Sequence, residues 1–309
     1  MPLIKRKTAI HAAPEVTYGL SPTLVATDAI LVKSVNLKPM AVKNAERTLV
    51  RPYFGKYQQL LGTVNAEIEI EIELAGSGTA GTAPAYGKLL KACSMSETIS
   101  AGVSVTYAPS SASTDSVTIQ CNIDGVNHKL TGCRGTLSAP AKVGDIWCMK
   151  MNFTGIYNAV TDAVQLGTTL TAWKQPLAVN NTNTTCVIHG ISAPMSELSF
   201  DLANNVVYRS LVNGAQAVLI TDRSTAGKIV IEATTVATKD WWATIIAATL
   251  GNLALTHGTV AGNRVAINAT GTLQLSEPDY SDMDGVLMMG ANLSFVPVAG
   301  NDEFSIVVS

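Results

Sequence analysis

Charge is scarce in this 309-residue chain: 14% of residues are Asp, Glu, Lys or Arg, against 47% hydrophobic. A surface so short of charge is suited to being covered by other subunits. Net charge is −2 and no block of basic residues occurs, which argues against tight nucleic-acid binding through phosphate neutralisation. Aromatics make up only 6%, too few for the aromatic-lined, carboxylate-paired cleft of a glycan-active enzyme. The five cysteines, Cys93, Cys121, Cys133, Cys148 and Cys186, are odd in number and form no C-x-x-C pair. A disulfide framework is therefore not expected, and reduced, packed thiols are. The four histidines, His11, His128, His189 and His257, stand too far apart for a zinc set, and each is expected to be structural.

Catalytic signatures are missing as well. There is no G-x-S-x-G, P-loop or H-E-x-x-H. Asp279, Asp282 and Asp284 lack the EF-hand spacing and its distal Glu, so they read as a solvated loop rather than a calcium site. No catalytic residue, cofactor or metal ligand is expected, and the chain is not read as an enzyme. Residues 1–7 are basic but no apolar signal-peptide region follows, so a cytosolic origin is expected. Residues 241–263 carry no formal charge, yet they include Thr244, Thr249, Asn252, His257 and Gly258. They read as a buried amphipathic helix, a turn and a strand rather than a membrane span.

What is present is a chain that says the same thing twice. Lys38-Pro39-Met40 is answered 155 positions later by Ala193-Pro194-Met195, and Leu49-Val50-Arg51, 158 later, by Val207-Tyr208-Arg209. Leu60-Leu61-Gly62-Thr63 pairs with Val218-Leu219-Ile220-Thr221 at 158, and Ile70-Glu71-Ile72-Glu73 with Ile229-Val230-Ile231-Glu232 at 159. Tyr86, Leu89, Leu90 and Cys93 have helical spacing, repeated by Trp242, Ile245, Ile246 and Thr249 at 156. A collinear series with so little drift points to two copies of one domain. The expected organisation is an N-terminal arm over 1–28, a first copy over 29–161, a linker over 162–185 and a second copy over 186–309. Each copy reads as a mainly β, antiparallel barrel or sandwich with one helix.

Residues 66–74 form the clearest strand. Ala66, Ile68, Ile70, Ile72 and Leu74 alternate with Glu67, Glu69, Glu71 and Glu73, the period of two of a half-buried strand. Like charges at every second position repel, so the ladder is either an ordinary solvated face or a deliberately anionic wall. The same register in the second half holds Ala226, Lys228, Val230 and Glu232, where one acid remains. Gly76, Ser77, Gly78, Thr79, Ala80, Gly81 and Thr82 form a flexible loop, and Pro84 suits the first turn of the following helix. Strands are expected over 103–108, 117–123, 128–134 and 147–155, with a hairpin turn at Asp124-Gly125.

The order of Arg51-Pro52-Tyr53, the Ile/Glu strand, the Gly-rich loop, Pro84-Ala85-Tyr86-Gly87-Lys88-Leu89-Leu90-Lys91-Ala92-Cys93, Thr98-Ile99-Ser100 and the later Ile123-Asp124-Gly125-Val126 and Met151-Asn152-Phe153-Thr154-Gly155 resembles the major tail (tail tube) proteins of long-tailed, non-contractile bacteriophages. The resemblance covers about residues 29–157 and reaches the second half through the repeat, which departs from it at 279–284. It implies a structural virion protein of the tail, assembled in the host cytoplasm as stacked rings. With two copies per chain, three chains would close a pseudo-six-fold ring. Implied partners are further copies of the chain, tail completion and tip proteins, and a tape-measure protein and DNA in the lumen without specific binding; no membrane is involved. Glu67, Glu69, Glu71, Glu73 and Glu232 are then candidate lumen residues, and Gly76 to Thr82 candidate inter-subunit contacts that become ordered, like the arm, against neighbouring subunits. A capsid-decorating or receptor-binding β-protein of the virion is the alternative.

Overall fold

A computed structural model describes residues 2–112 and 115–309. Its first half contains β1 (Thr8–Pro14), β2 (Ala29–Ile30), β3 (Ser34–Ala45), β4 (Leu60–Glu73), α1 (Gly87–Ala92), β5 (Met95–Ser100), β6 (Ser104–Pro109), β7 (Val117–Ile123), β8 (Val126–Ser138), β9 (Ala141–Lys142), β10 (Cys148–Tyr157) and β11 (Thr161–Asp162). The second contains β12 (Thr184–Ile188), β13 (Ile191–Ser192), β14 (Met195–Asp201), β15 (Asn204–Arg209), β16 (Ala217–Arg223), β17 (Ala226–Glu232), α2 (Trp241–Ile246), β18 (Gly251–His257), β19 (Val265–Met283), β20 (Val286–Phe295) and β21 (Ser305–Val308). The fold is mainly β and the pairings are antiparallel, as the alternating sequence led us to expect.

The same neighbour order occurs in both halves. In the first, β3 pairs with β4, β4 with β10 and β10 with β8. In the second, β14 pairs with β17, β17 with β20 and β20 with β19. A short helix follows the second strand of the long hairpin each time. The two four-stranded units join edge to edge. Asp201 on β14 pairs with Ser138 on β8, and Leu198 and Glu197 pair with Ala141 and Lys142 on β9. A second joint is made by β21, which lies against β6 of the first half.

The apolar positions of β4 face inward and are all buried: Ala66, Ile68, Ile70, Ile72 and Leu74. They pack with Leu89 and Leu90 of α1, Tyr86 and Cys93 at its ends, and Met149, Met151 and Phe153 of β10. In the second half Leu198, Phe200, Ile229, Ile231, Leu293 and Phe295 belong to the same core, with Phe200 in edge contact with Phe295 and Phe304 at 5.4 and 4.9 Å. All five cysteines are free and buried. Burial pushes the thiols of Cys121 and Cys186 up, to about 11 and about 12 respectively, which leaves them inert at neutral pH.

Four expectations change. Thr8–Pro14 belongs to the fold rather than to an arm that waits for a neighbour: β1 runs the full length of β7 and buries Ile10 and Ala12. Its run of small and apolar residues, Ala9-Ile10-His11-Ala12-Ala13, is covered on both faces and so shows no alternation. Residues 279–283 are not a loop. They extend β19 along β20, and the hairpin turns at Asp284-Gly285, both with positive φ (54° and 84°), the same chemistry as Asp124-Gly125 at 48° and 103°. Helix α2 exists and is followed by the expected turn and strand, but it buries Trp241 and leaves Ile246 86% exposed. Finally, Pro39 lies inside β3 at a register shift while Pro194 precedes β14, so these two do not occupy matching places.

Removing β1 would uncover the edge of β7 and open the core beneath it. We expect Ile10→Ala to lower unfolding free energy by about 2–5 kcal/mol, the usual cost of a large-to-small change at a buried site. Denaturant titration measures it, and a loss below about 0.5 kcal/mol would mean that β1 is dispensable.

Candidate functional site

Among the described residues no three His, Cys, Asp or Glu side chains gather as a metal set would, and what stands out is one face of the joined sheet. A single row of paired residues, Ser34–Glu71–Lys150–Ser138–Asp201–Ala226–Ser294–Gln274, crosses eight strands from β3 to β19. Directly opposite residues share a face in an antiparallel sheet. None of the eight is buried. The neighbouring row Asn36–Glu69–Asn152–Thr136 is also polar. One side of the sheet is thus a continuous polar surface built from small hydroxyls, amides and interspersed charges, while the other side is the core.

The glutamate ladder lies on this polar face, and its charge is partly offset. Lys33 bonds to Glu71 at 3.0 Å and Lys38 to Glu67 at 3.2 Å, while Lys150 stands opposite Glu71. Glu69 faces Asn36 and Asn152, and Glu73 faces Cys148. The hydrogen bond from Lys33 holds the Glu71 carboxyl below the usual glutamate range, with help from the Ser34 hydroxyl at 3.0 Å. Flanking cations therefore reduce the repulsion that alternating carboxylates would otherwise suffer. In the second half Lys228 bonds to Asp279 at 3.1 Å, and Glu232 lies opposite Met288, well away from the ladder.

At the two ends of this sheet the strands are unpaired on their outer sides: among the described residues β3 pairs only with β4, and residues 274–283 of β19 only with β20. Two hairpins, β3–β4 and β15–β16, carry exposed apolar residues at their tips. The loop beyond β3 exposes Leu49, Val50, Tyr53 and Phe54, with the Arg51 guanidinium over the rings of Tyr53 and Tyr57 at 4.7 and 4.0 Å; the turn after β15 exposes Leu211 and Val212. Free edges and exposed apolar tips are what a subunit of a larger assembly presents.

A model of the phage tail tube protein family matches residues 5–297. The chain belongs to that family. No curated protein matches it. The tail tube chain is accordingly a structural component of the virion tail, and its family is structural rather than enzymatic; the tube is built from many subunits.

Sequence reasoning put the ladder carboxylates on one face of a strand whose other face is core, and that is where they lie. The Gly-rich loop meets the other half of its own chain. Gly76 N–H donates to Asn263 Oδ1 at 2.9 Å and Gly78 N–H to the Gly262 carbonyl at 2.8 Å. A Cβ on Gly76 would come within 2.1 Å of that carbonyl, so only glycine permits the approach. The free edges and the seam between β9 and β14 were not legible, because nothing in a strand's own pattern names its neighbour.

The histidines tie the connecting segment to the sheets. His11 Nε2 lies 3.0 Å from the Gly167 carbonyl, and His257 lies 2.8 Å from Thr184 Oγ1 and 3.2 Å from the Leu177 carbonyl. Burial depresses the basicity of His189 and His257. A depressed imidazole pKa means the unfolded chain binds more protons below about pH 6.5 than the folded chain does. This contribution to stability is full above that pH and is lost as pH falls through the lower folded-state pKa. We expect the melting temperature to drop between about pH 7 and about pH 5, and His257→Gln to flatten that drop. Calorimetry across the range checks it; an unchanged slope in the variant would place the pH response elsewhere.

Proposed function

We propose that three of these chains close into one ring of the tail tube, with the polar sheet face turned inward around a channel that passes DNA. The observation that carries this reading is the eight-strand sheet with an unpaired edge at either end. Its two four-stranded units, repeated in the same order, support taking residues 29–161 and 186–309 as two copies of a tube domain joined by 162–185, so that three chains supply pseudo-six-fold geometry. Pooling three such sheets gives a barrel of about 24 strands, wider than the 16–18-stranded barrels that already hold aqueous channels. Closure also removes the edges on which free sheets aggregate.

The chemistry of the face suits passage rather than binding. Duplex DNA carries about one negative charge per 1.7 Å of axis, and a lumen lined by uncompensated lysines would hold it. Here the ladder carboxylates Glu67, Glu69, Glu71 and Glu73 accompany Lys33, Lys38 and Lys150, and Glu232 adds an acid on the other unit. The balance is weakly anionic. Such a wall would let DNA, and a tape-measure protein before it, slide without specific contacts. The exposed hairpin tips, with Leu49, Val50 and Phe54 on one and Leu211 and Val212 on the other, are the surfaces for the next ring and, at the tube ends, for completion and tip proteins. Assembly would take place in the host cytoplasm.

Mass measurement of the assembled ring should give three chains, and negative-stain images should show stacks of rings rather than discrete decorating oligomers; six chains per ring would overturn the two-copy arrangement. Replacing Glu67, Glu69, Glu71 and Glu73 together with Lys should leave tails that assemble but eject DNA slowly, with the delay shrinking as salt rises. Unchanged ejection from correctly assembled tails would place the ladder outside the lumen.

A further inference from the structure

Inside the chain, one sheet edge is already joined to another, and the uncovered edges at the two ends show what a second joint of the same kind would bring together. At the internal seam Ser138 of β8 pairs with Asp201 of β14. Strand pairing then places Ser138 in the row of Lys150 and Glu71, and Asp201 in the row of Ala226. The matching rows at the free edges are Asp279–Gly290–Val230 on the β19 side and Lys38–Glu67 on the β3 side, because Val230 and Ala226 stand 159 positions beyond Glu71 and Glu67. Carried over to a neighbouring copy, the internal register sets Asp279 of one chain opposite Lys38 of the next.

Burial supports the match. The inward-facing residues of β14 at the internal seam, Leu198 and Phe200, are 1% and 0% exposed. Their counterparts on the free edge of β3, Val35 and Leu37, are only half-buried, since nothing covers their outer side. The free edge of β19 in turn carries Tyr280, 55% exposed and on the core side, where it pairs with the buried Met289, apolar surface of the kind that would cover them. Charge is complementary too. Lys38 bonds to Glu67 and Asp279 to Lys228 within the chain, so docking completes an alternating row, Glu67–Lys38–Asp279–Lys228, across the seam.

We propose that head-to-tail closure of the ring is directed by this row: the outer edge of β19 of one copy adds to the outer edge of β3 of the next, with Asp279 opposite Lys38. The partner is a second copy of this chain, and the inference rests on the ring reading given above. Opposite charges at the joint admit the β19-to-β3 order, whereas two β3 edges would oppose Lys38 to Lys38 and two β19 edges Asp279 to Asp279. Like charges directly opposed are disfavoured. A heterologous contact that closes on itself is what a ring needs.

The test is a full-length chain carrying both Lys38→Cys and Asp279→Cys, assembled and then oxidised. Directly opposed residues lie about 4.5–5.5 Å apart at Cα, within disulfide reach, and the native cysteines are buried. Denaturing electrophoresis without reductant should show covalent species of up to three chains, and neither single variant should give them. Rings of three chains that form without this cross-link would overturn the register while leaving the tube reading intact. A wild-type protein that never closes on three chains would instead remove the ring reading itself. Should the double-cysteine chain fail to assemble, charge exchange decides. Lys38→Asp or Asp279→Lys alone should raise the protein concentration for half-assembly about tenfold at low salt, and both in one chain should return it toward wild type. Singles without effect, or a pair no better than its singles, would overturn the proposal.

Discussion

Everything in this structure depends on how sheet edges are satisfied. A strand with an open side presents unpaired N–H and C=O groups, and in a chain that is half strand these groups must find partners or invite wrong ones. The molecule meets this constraint internally by adding β1 to β7, β14 to β8 and β9, and β21 to β6. It leaves two edges of the polar-faced sheet open. Those two lie at opposite ends of one eight-strand surface, which suits a tube subunit.

The same constraint explains the distribution of charge. With so few charged residues, the polar face relies on hydroxyls and amides, and its carboxylates sit beside lysines on adjacent strands rather than in the core. Exposed ion pairs of this kind contribute little to stability, on the order of 0–1 kcal/mol each, so their placement matters more for which edges attract each other than for holding the subunit together. Cohesion comes from the apolar layer beneath: β4 and β10 in one half, β17 and β20 in the other, with Phe200, Phe295 and Phe304 packed edge to face.

The first and second halves also differ where their surroundings differ. Helix α1 is enclosed by β1, β5, β7 and β8 and buries Leu89 and Leu90. Helix α2 has contacts with β19 and leaves Ile246 and part of Trp242 outside, with the Trp242 ring against Tyr280 at 5.7 Å. The second half has no strand in the place of β1 to close over its helix. Its exposed apolar residues stand beside the open β19 edge.

Much of this was legible in the sequence, and for a plain reason. Alternation sets which residues of a strand face the core, so Ala66 to Leu74 declared both its strand and its buried side; Asp124-Gly125 declared a hairpin, because positive φ at both positions is cheap only for such residues. The absence of clustered histidines, paired carboxylates and nucleotide-binding loops directed attention away from catalysis. Local pattern was silent wherever the answer lay in long-range pairing. β1 is covered on both faces and therefore shows no alternation, and residues 279–283 looked like a loop because Asp279, Asp282 and Asp284 crowd ahead of Gly285 with no period of two, while their partner strand lies beyond the turn. Neither a strand's neighbour nor the face that stays open is written in its own residues, since backbone hydrogen bonding is the same for every side chain. The sequence by itself determined the alternating strands, their inward faces and the polar character of the remaining side; only the tertiary structure decided which edges meet, which are left free, and hence where another copy could join.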